Sequence, residues 1–191
     1  GLRIPPVRIV RAGEPKRDLI EMILLNSRTP EERRGDLKAQ FAANVVGMRS
    51  VAALMQRRGI EETQATIAAY LDFTERRFRV AISRLPRGTF SAQDYLDGDS
   101  EGSRTKIQLN LTVSEGQLHF DFAGSGRQLQ SARNIPYRAL LATVYTVAKS
   151  LLDPDVPANA GYYRTLSIET EPGTVVGPMP PAAVGARSIS C

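Results

Sequence analysis

A long helical repeat, followed by a change of hydrophobic period, constrains the fold of this chain most. Thr29-Pro30-Glu31-Glu32 is typical of a helix start with a capping box between Thr29 and Glu32, and Gly59 is a typical helix end. Between them, apolar residues recur at steps of three and four: Leu37, Phe41, Val45, Met48, Ala52 and Met55. The sequence therefore predicts a helix over residues 29–58 whose apolar seam lies in a core.

A second long helix is predicted over residues 61–85, because Ile67, Leu71 and Phe78 continue the same spacing. Two long helices joined at one glycine are expected to pack antiparallel as a hairpin. Before them, Pro5-Pro6 predicts an extended arm, and a short helix is predicted from Pro15.

The hydrophobic period changes from 3.6 to 2 after residues 86–88. A strand is predicted over residues 89–96, and the alternation in 107–113 and 118–122 around a short turn predicts a β-hairpin. Residues 136–152 are apolar on more than one side, which predicts a buried helix. The expected fold is α+β: a helical region over 1–86 with a long α-hairpin, then a region over 87–191 with a β-hairpin-containing sheet and a buried helix.

Composition excludes several classes of protein. One cysteine and one histidine rule out a disulfide framework or a site of several His and Cys ligands. The net charge of +5 comes from scattered basic pairs with acidic neighbours, so we expect no nucleic-acid partner. No apolar stretch reaches the ~20 residues of a membrane span, and the first residues of the given sequence lack the basic-then-apolar order of a secretory signal. We expect a soluble cytoplasmic protein. The sequence begins with Gly1 in place of Met and stops at Cys191 within a stretch typical of ordered structure, so we expect a fragment of a larger polypeptide.

A polar row runs beside the seam of the first long helix. Asp36, Gln40 and Asn44 recur at every fourth residue and therefore share one side of the helix. The row either faces a reaction chamber or forms a hydrogen-bond network that braces the helix hairpin, and both interpretations stay open at this point.

His119 and Asp121 share the strand face opposite the aromatic residues of the predicted hairpin. They are either an acid–base pair, part of a metal site, or solvent-facing polar residues. The glycine-rich stretch 124–127 lacks the Lys-Ser/Thr ending of a phosphate-binding loop, so we predict a turn there.

Several stretches, in this order along the whole chain, resemble the hydantoinase B family. They are G-L-R-I-P-P-V-R at 1–8, R-T-P-E-E-R-R-G-D-L-K-A-Q-F-A-A-N at 28–44, D-F-T-E-R-R at 72–77, L-H-F-D-F-A-G-S at 118–125, N-I-P at 134–136, L-L-D-P-D-V-P-A-N-A-G at 151–161 and P-P-A-A-V-G-A-R at 180–187. The family covers N-methylhydantoinase B, the second half of 5-oxoprolinase and the alpha subunits of acetone and acetophenone carboxylases. Two positions depart from its pattern, because Ala123 replaces a hydroxyl and Ala160 replaces a carboxylate.

The resemblance implies a subunit of an ATP-dependent hydrolase that opens cyclic amides of the hydantoin or 5-oxoproline type. It further implies a hetero-oligomer with a hydantoinase A-type partner, on which ATP activates the carbonyl. ATP and a divalent metal are expected for the complete complex and none for these residues, because the family's acidic and His residues lie upstream of Gly1. The alternatives are a non-catalytic assembly or binding module and a subunit of a related ketone carboxylase.

On this basis we expect Asp36 and Asp121 to be catalytic. The expected substrate-binding residues are Gln40, Asn44, Asn134, Asn159, Arg164 and Arg187. Amide side chains suit the edges of a cyclic amide, and an arginine suits a phosphate or carboxylate. For Asn134 and Asn159, which lie beside Pro and Gly turns, a structural role in the loop is the alternative.

Overall fold

The computed structural model describes residues 4–186, which form two compact units that divide between Ala65 and Thr66. Unit one contains the strands β1 (Val10–Arg11) and β2 (Glu14–Pro15), which pair antiparallel, and the helices α1 (Arg17–Leu25) and α2 (Pro30–Arg58). The division falls inside α3 (Ile60–Ser83). The predicted domain boundary after residue 86 stays a prediction.

Helix α2 begins and ends where the sequence predicts. Pro30 occupies its first turn and the backbone N–H of Arg33 donates to the carbonyl of Thr29 at 3.1 Å. The Thr29 side chain makes no capping hydrogen bond, so the predicted capping box is wrong.

No residue of α2 is buried, so the predicted core seam is also wrong for the described chain. Met48 on this seam is 65% exposed. The physical reason is length: α1, which packs on α2 in unit one, has nine residues against the 29 of α2. The packing of α2 against α3 as a hairpin stays a prediction.

Unit two contains a four-stranded sheet, with the order β3 (Gly88–Asp97), β4 (Arg104–Ser114), β5 (Gln117–Asp121), β6 (Leu166–Glu169). The first three strands are antiparallel neighbours, which confirms the predicted β-hairpin. Strand β6 pairs parallel with β5, because the chain between them makes a crossover that holds α4 (Tyr137–Leu152) and α5 (Ala160–Tyr163). The α+β class predicted from the sequence is confirmed.

The core of unit two lies on one face of the sheet. Alternate residues of β4 and β5 face it, and α3 and α4 contribute their apolar sides. Two clusters of buried side chains result: Phe78, Ile82, Val113, Leu118, Ala148, Val156, Tyr162 and Leu166 in one, and Phe122, Ile135, Leu140, Val144, Ile168, Val175 and Val176 in the other. Helix α4 is buried along one side only, at Leu140, Val144 and Ala148, whereas Val147 and Leu151 are exposed. The prediction of a buried helix is therefore correct for one side and wrong for the other. Within residues 4–186, no helix is both long and apolar enough to cross a membrane.

Candidate functional site

The predicted polar row lies on the open surface of α2. The Asp36 carboxylate forms a salt bridge with the Arg33 guanidinium at 2.5 Å, and the Asp36 side chain is 52% exposed. Gln40 and Asn44 are exposed, and neither makes a side-chain hydrogen bond to another residue in the described range 4–186. Both interpretations of the row, a reaction chamber and a hydrogen-bond network that braces the helix hairpin, stay predictions.

A hollow of about 300 Å³ lies on another side of α2, between that helix, α1 and β2. Its apolar lining comes from Pro15, Ile20, Leu37 and Phe41, and its charged lining from Glu14, Arg17, Glu21, Arg34 and Lys38. The Arg34 guanidinium donates two hydrogen bonds to Glu21, at 2.6 and 3.1 Å. These bonds lower the pKa of Glu21 and raise the pKa of Arg34.

Such a hollow suits a molecule with an apolar body and a charged end. The predicted row Asp36, Gln40 and Asn44 does not line it. Sequence reasoning missed the Glu21–Arg34 pair, because its members lie on different helices and no local spacing joins them.

The outer face of the sheet brings together polar residues from the strands β4, β5 and β6. Strand pairing places Thr112 and Ser167 on either side of His119, while Asn110 and Glu169 flank Asp121. His119 Nδ1 lies 2.8 Å from Ser167 Oγ. Ser167 was missed from the sequence, because it is 48 residues away from His119.

His119 and Asp121 do not bond to each other, so they do not form the acid–base pair that was one interpretation of their spacing. The Asp121 carboxylate instead accepts a hydrogen bond from the backbone N–H of Ala123 at 2.9 Å, which holds the turn after β5. Both side chains are partly exposed, which fits the alternative of solvent-facing polar residues. A catalytic role for Asp121 stays a prediction.

Asn134 is fully buried and saturated by backbone groups. Its Oδ1 accepts from the N–H of Leu129 at 2.7 Å. Its Nδ2 lies within hydrogen-bond distance of the carbonyls of Leu129, Ser131 and Ala183, at 2.9, 3.1 and 2.9 Å. Because every polar atom of this amide is used, the geometry favours the structural alternative, and substrate contact stays a prediction.

Asn159 also holds the backbone. Its Oδ1 accepts from the N–H of Gly161 at 2.8 Å as the N-cap of α5, and its Nδ2 donates to Thr74 Oγ1 at 3.0 Å. Ala160, where the family pattern has a carboxylate, is exposed at the start of α5.

Arg164 follows α5 and lies on the surface of unit two. Its guanidinium donates to Asp72 at 2.9 Å and to Glu75 at 3.2 Å, so its charge is already paired. These hydrogen bonds raise the pKa of Arg164. Arg187, the other predicted anion-binding arginine, lies outside the described residues.

The side chains present do not fit the metal and nucleotide that the resemblance implies. Among residues 4–186, no group of three or more His, Cys, Asp or Glu side chains is placed to hold a metal ion. Ser125 Oγ donates to the carbonyl of Phe122 at 2.8 Å, and the N–H of Gly126 donates to the carbonyl of Lys106 at 2.7 Å. The stretch 124–127 is therefore a turn, as predicted, and these two donors are used by backbone carbonyls of the protein itself.

An apolar hollow of about 250 Å³ lies in unit two between the sheet and α4. Its lining is Ile107, Leu109, Phe120, Phe122, Ile135, Leu140, Thr143, Val144, Val147 and Val176. The one hydroxyl in this lining, on Thr143, donates to the carbonyl of Ala139 at 3.1 Å. Orienting an amide requires convergent polar groups, so this hollow does not suit a cyclic amide.

Comparison with known proteins identifies the family. The family model described as Hydantoinase B/oxoprolinase matches residues 1–191. The beta subunit of the caprolactamase of Pseudomonas jessenii is 28% identical over 190 residues, which cover 95% of this chain and 32% of the relative. The B subunit of a putative D-/L-hydantoinase of Pseudomonas sp. (strain NS671) is 30% identical over 202 residues, covering 98% of this chain and 34% of the relative. The chain belongs to the hydantoinase B/oxoprolinase family.

The fold agrees with this assignment. The crystal structure of ATP-dependent caprolactamase from Pseudomonas jessenii superposes with a TM-score of 0.85 at 27% sequence identity. The match covers 100% of this chain and 32% of that structure. The chain thus spans about a third of the length of these relatives.

Proposed function

We propose that this chain is part of the B-type subunit of an ATP-dependent enzyme that hydrolyses cyclic amides together with an A-type partner. The observation that supports this most directly is the similarity, along nearly the whole chain, to the beta subunit of a caprolactamase. Subunit names among the relatives support a hetero-oligomer. A cytoplasmic location is part of the same proposal.

The chemistry of ring opening explains the need for two kinds of subunit. An amide carbonyl is a poor electrophile, so ATP bound by the partner supplies the activation. Transfer of the terminal phosphoryl group of ATP to the carbonyl oxygen would give ADP and a better electrophile; water would then add to that carbon, phosphate would leave and the C–N bond would break. The opened ring would carry a carboxylate and, at the other end, an amine from a lactam or a urea group from a hydantoin. The B-type side has to hold the ring and position the water.

The polar row on α2 offers suitable groups. Gln40 and Asn44 each carry an amide donor and an amide acceptor, which complement the C=O and N–H edges of a lactam. Four residues of helix separate them by about 6 Å, which matches the size of a small ring. Asp36, one turn earlier, would accept a hydrogen bond from the water in this proposal.

The proposal is tested with the intact B-type subunit and its A-type partner, purified separately and mixed. We expect ADP and the ring-opened product to appear together, with hydantoin, 5-oxoproline or caprolactam as substrate, only when both subunits are present. Activity of the partner alone at the rate of the mixture would favour a non-catalytic assembly module. Carboxylation of a ketone in place of ring opening would favour the carboxylase branch.

A further inference from the structure

The apolar face of the sheet in unit two is wider than one helix. Strand pairing opposes Phe90 to Leu111 and Ala92 to Leu109, and directly opposed residues of antiparallel strands point to the same face. Leu109 and Leu111 pack against the two core clusters, so Phe90 and Ala92 extend the apolar face onto β3. Four strands at a spacing of about 4.8 Å span about 14 Å, whereas a helix with its side chains is about 10 Å wide. A single helix such as α4 therefore leaves part of this face open.

The exposed side chains show which part is open. Phe90 of β3 is 46% exposed, and Val147 of α4 is 50% exposed. The apolar hollow of about 250 Å³ joins them, because its lining includes Val147 and also Leu109, the partner of Ala92. We call this surface, which consists of Phe90, Ala92, Ile107, Leu109 and Val147, the apolar strip. Folded proteins rarely leave a contiguous surface of this kind in water, so a further segment is expected to cover it.

One carboxylate lies at the margin of the apolar strip. Asp94 opposes Ile107 and therefore points to the same face of the sheet. Its Oδ1 accepts a hydrogen bond from the backbone N–H of Tyr95 at 2.8 Å, and its Oδ2 bonds to no other residue in the described range 4–186. Because a carboxylate that loses its water needs a compensating partner, the covering segment is expected to place a cation beside Asp94.

We infer that the apolar strip is the packing surface for an amphipathic helix from a part of the same polypeptide outside residues 1–191. Apolar residues of that helix face the strip, and a Lys or Arg lies beside Asp94. A helix fits because Val147 and Leu151, which are four residues apart on α4 and both exposed, form a ridge against which a neighbouring helix packs. Together with α4 it completes the helical layer on the sheet.

The length of the relatives supports an occupant from the same polypeptide. About two-thirds of the caprolactamase beta subunit lies outside the part that matches this chain. Nine of the ten residues that line the hollow are apolar, which is typical of a domain interior, whereas interfaces between separately folded proteins are more polar. This inference rests on the proposal that the chain is part of a longer B-type subunit, and not on the reaction of that subunit.

Photo-cross-linking in the intact B-type subunit tests the inference. Phe90 is replaced by p-benzoylphenylalanine, an aromatic residue that links to its neighbours on irradiation, and the linked peptides are identified by mass spectrometry. We expect a link within one polypeptide to a segment outside residues 1–191 that has apolar residues at helical spacing and a Lys or Arg. The same probe at Val147 should link to the same segment. Both links should be lost when the subunit is unfolded in urea before irradiation.

Tyr95 provides the matched control. It is an exposed aromatic residue of the same strand and opposes Lys106, so it points to the other face of the sheet. The probe at Tyr95 should not link to that segment. Irradiating a mixture of subunits with light and heavy nitrogen distinguishes links within one polypeptide from links between two copies. A link to a second copy, to the A-type partner or only to residues 1–191 would overturn the inference, as would no link from either position. The readout needs no substrate, so it stands or falls separately from the proposed ring opening.

Discussion

Asn159 donates a hydrogen bond to the Thr74 hydroxyl at 3.0 Å and so joins the loop after α4 to the middle of α3. Thr74 is fully buried and its hydroxyl donates to the carbonyl of Tyr70 at 2.9 Å. The two residues belong to two different stretches that carry the family resemblance, D-F-T-E-R-R and L-L-D-P-D-V-P-A-N-A-G. A bidentate salt bridge joins the same stretches, because Arg77 donates two hydrogen bonds to the Asp153 carboxylate, at 2.5 and 2.7 Å. These contacts therefore hold the two stretches together in unit two.

We expect Asn159→Ala to lower the free energy of unfolding of unit two by about 1–3 kcal/mol, because it removes both the cap of α5 and the bond to Thr74. Denaturant unfolding followed by circular dichroism measures the effect. Combining it with Thr74→Val should cost less than the sum of the two single changes, since both break the same bond. Strict additivity would show that the two side chains are energetically independent.

Gly161→Ala should destabilise unit two by about 1–3 kcal/mol, the usual cost of overpacking. A Cβ at this position would lie 2.2 Å from the carbonyl oxygen of Leu71 and 2.8 Å from the Cβ of Thr74. Gly47→Ala is the matched control, because nothing lies within 4 Å of a Cβ there. In the interior of α2 that change should stabilise the helix by about 0.5–1 kcal/mol. Thermal unfolding of both variants measures the change in stability, which should be negative for Gly161→Ala and positive for Gly47→Ala.

The Arg77–Asp153 pair predicts a specific dependence of stability on pH. The hydrogen bonds from Arg77 hold the pKa of Asp153 below its usual value of 3.8. A carboxylate with a lowered pKa stabilises the folded state above its unfolded pKa, and this contribution is lost as the pH falls through the folded pKa. Asp153→Asn should therefore be less stable than the parent at neutral pH, and the gap should narrow below about pH 4. Denaturant unfolding of the parent and of Asp153→Asn, at neutral pH and at a pH below about 4, measures the difference in their free energies of unfolding. A difference that is the same at both pH values would contradict the ion pair.

Asp36→Ala in the intact subunit should abolish ATP-dependent ring opening while the circular dichroism spectrum stays unchanged. Because Asp36 is bonded to Arg33 at 2.5 Å, Arg33→Ala is the control that removes the salt bridge and keeps the carboxylate. We expect that control to retain most of the activity, since exposed salt bridges contribute little to stability. Full activity of the alanine variant at Asp36, or equal loss in both variants, would refute a catalytic role for the carboxylate.

The sequence predicted local structure well and long-range pairing poorly. Alternation in 107–113 and 118–122 is a local signal, and the hairpin it predicts is present. The parallel pairing of β5 with β6 and the contact of His119 with Ser167 have no local signature, because their partners are separated by a crossover. Periodicity likewise showed which side of α2 is apolar, although it carries no information about what covers that side.

The candidate site shows the same difference between local features, which the sequence predicts, and contacts between distant residues, which it does not. Motif residues such as Asn134 and Asn159 were found from the sequence, whereas their bonding to backbone groups and to Thr74 required coordinates. Side-chain amides are equally suited to ligands and to backbone. Residue type alone therefore cannot separate the two roles.

The crossover to β6 has a consequence for synthesis on the ribosome. Strands β3, β4 and β5 follow one another closely and can pair as soon as they emerge, but Leu166 and Ile168 arrive only after α4 has been made. Until then the β5 edge of the nascent sheet lacks its partner β6, and Val113 and Phe122 lack the contacts with Leu166 and Ile168 in their clusters. Emergence of residues 166–169 from the ribosome allows β6 to close the β5 edge, so the growing chain is most exposed to wrong pairing just before that point.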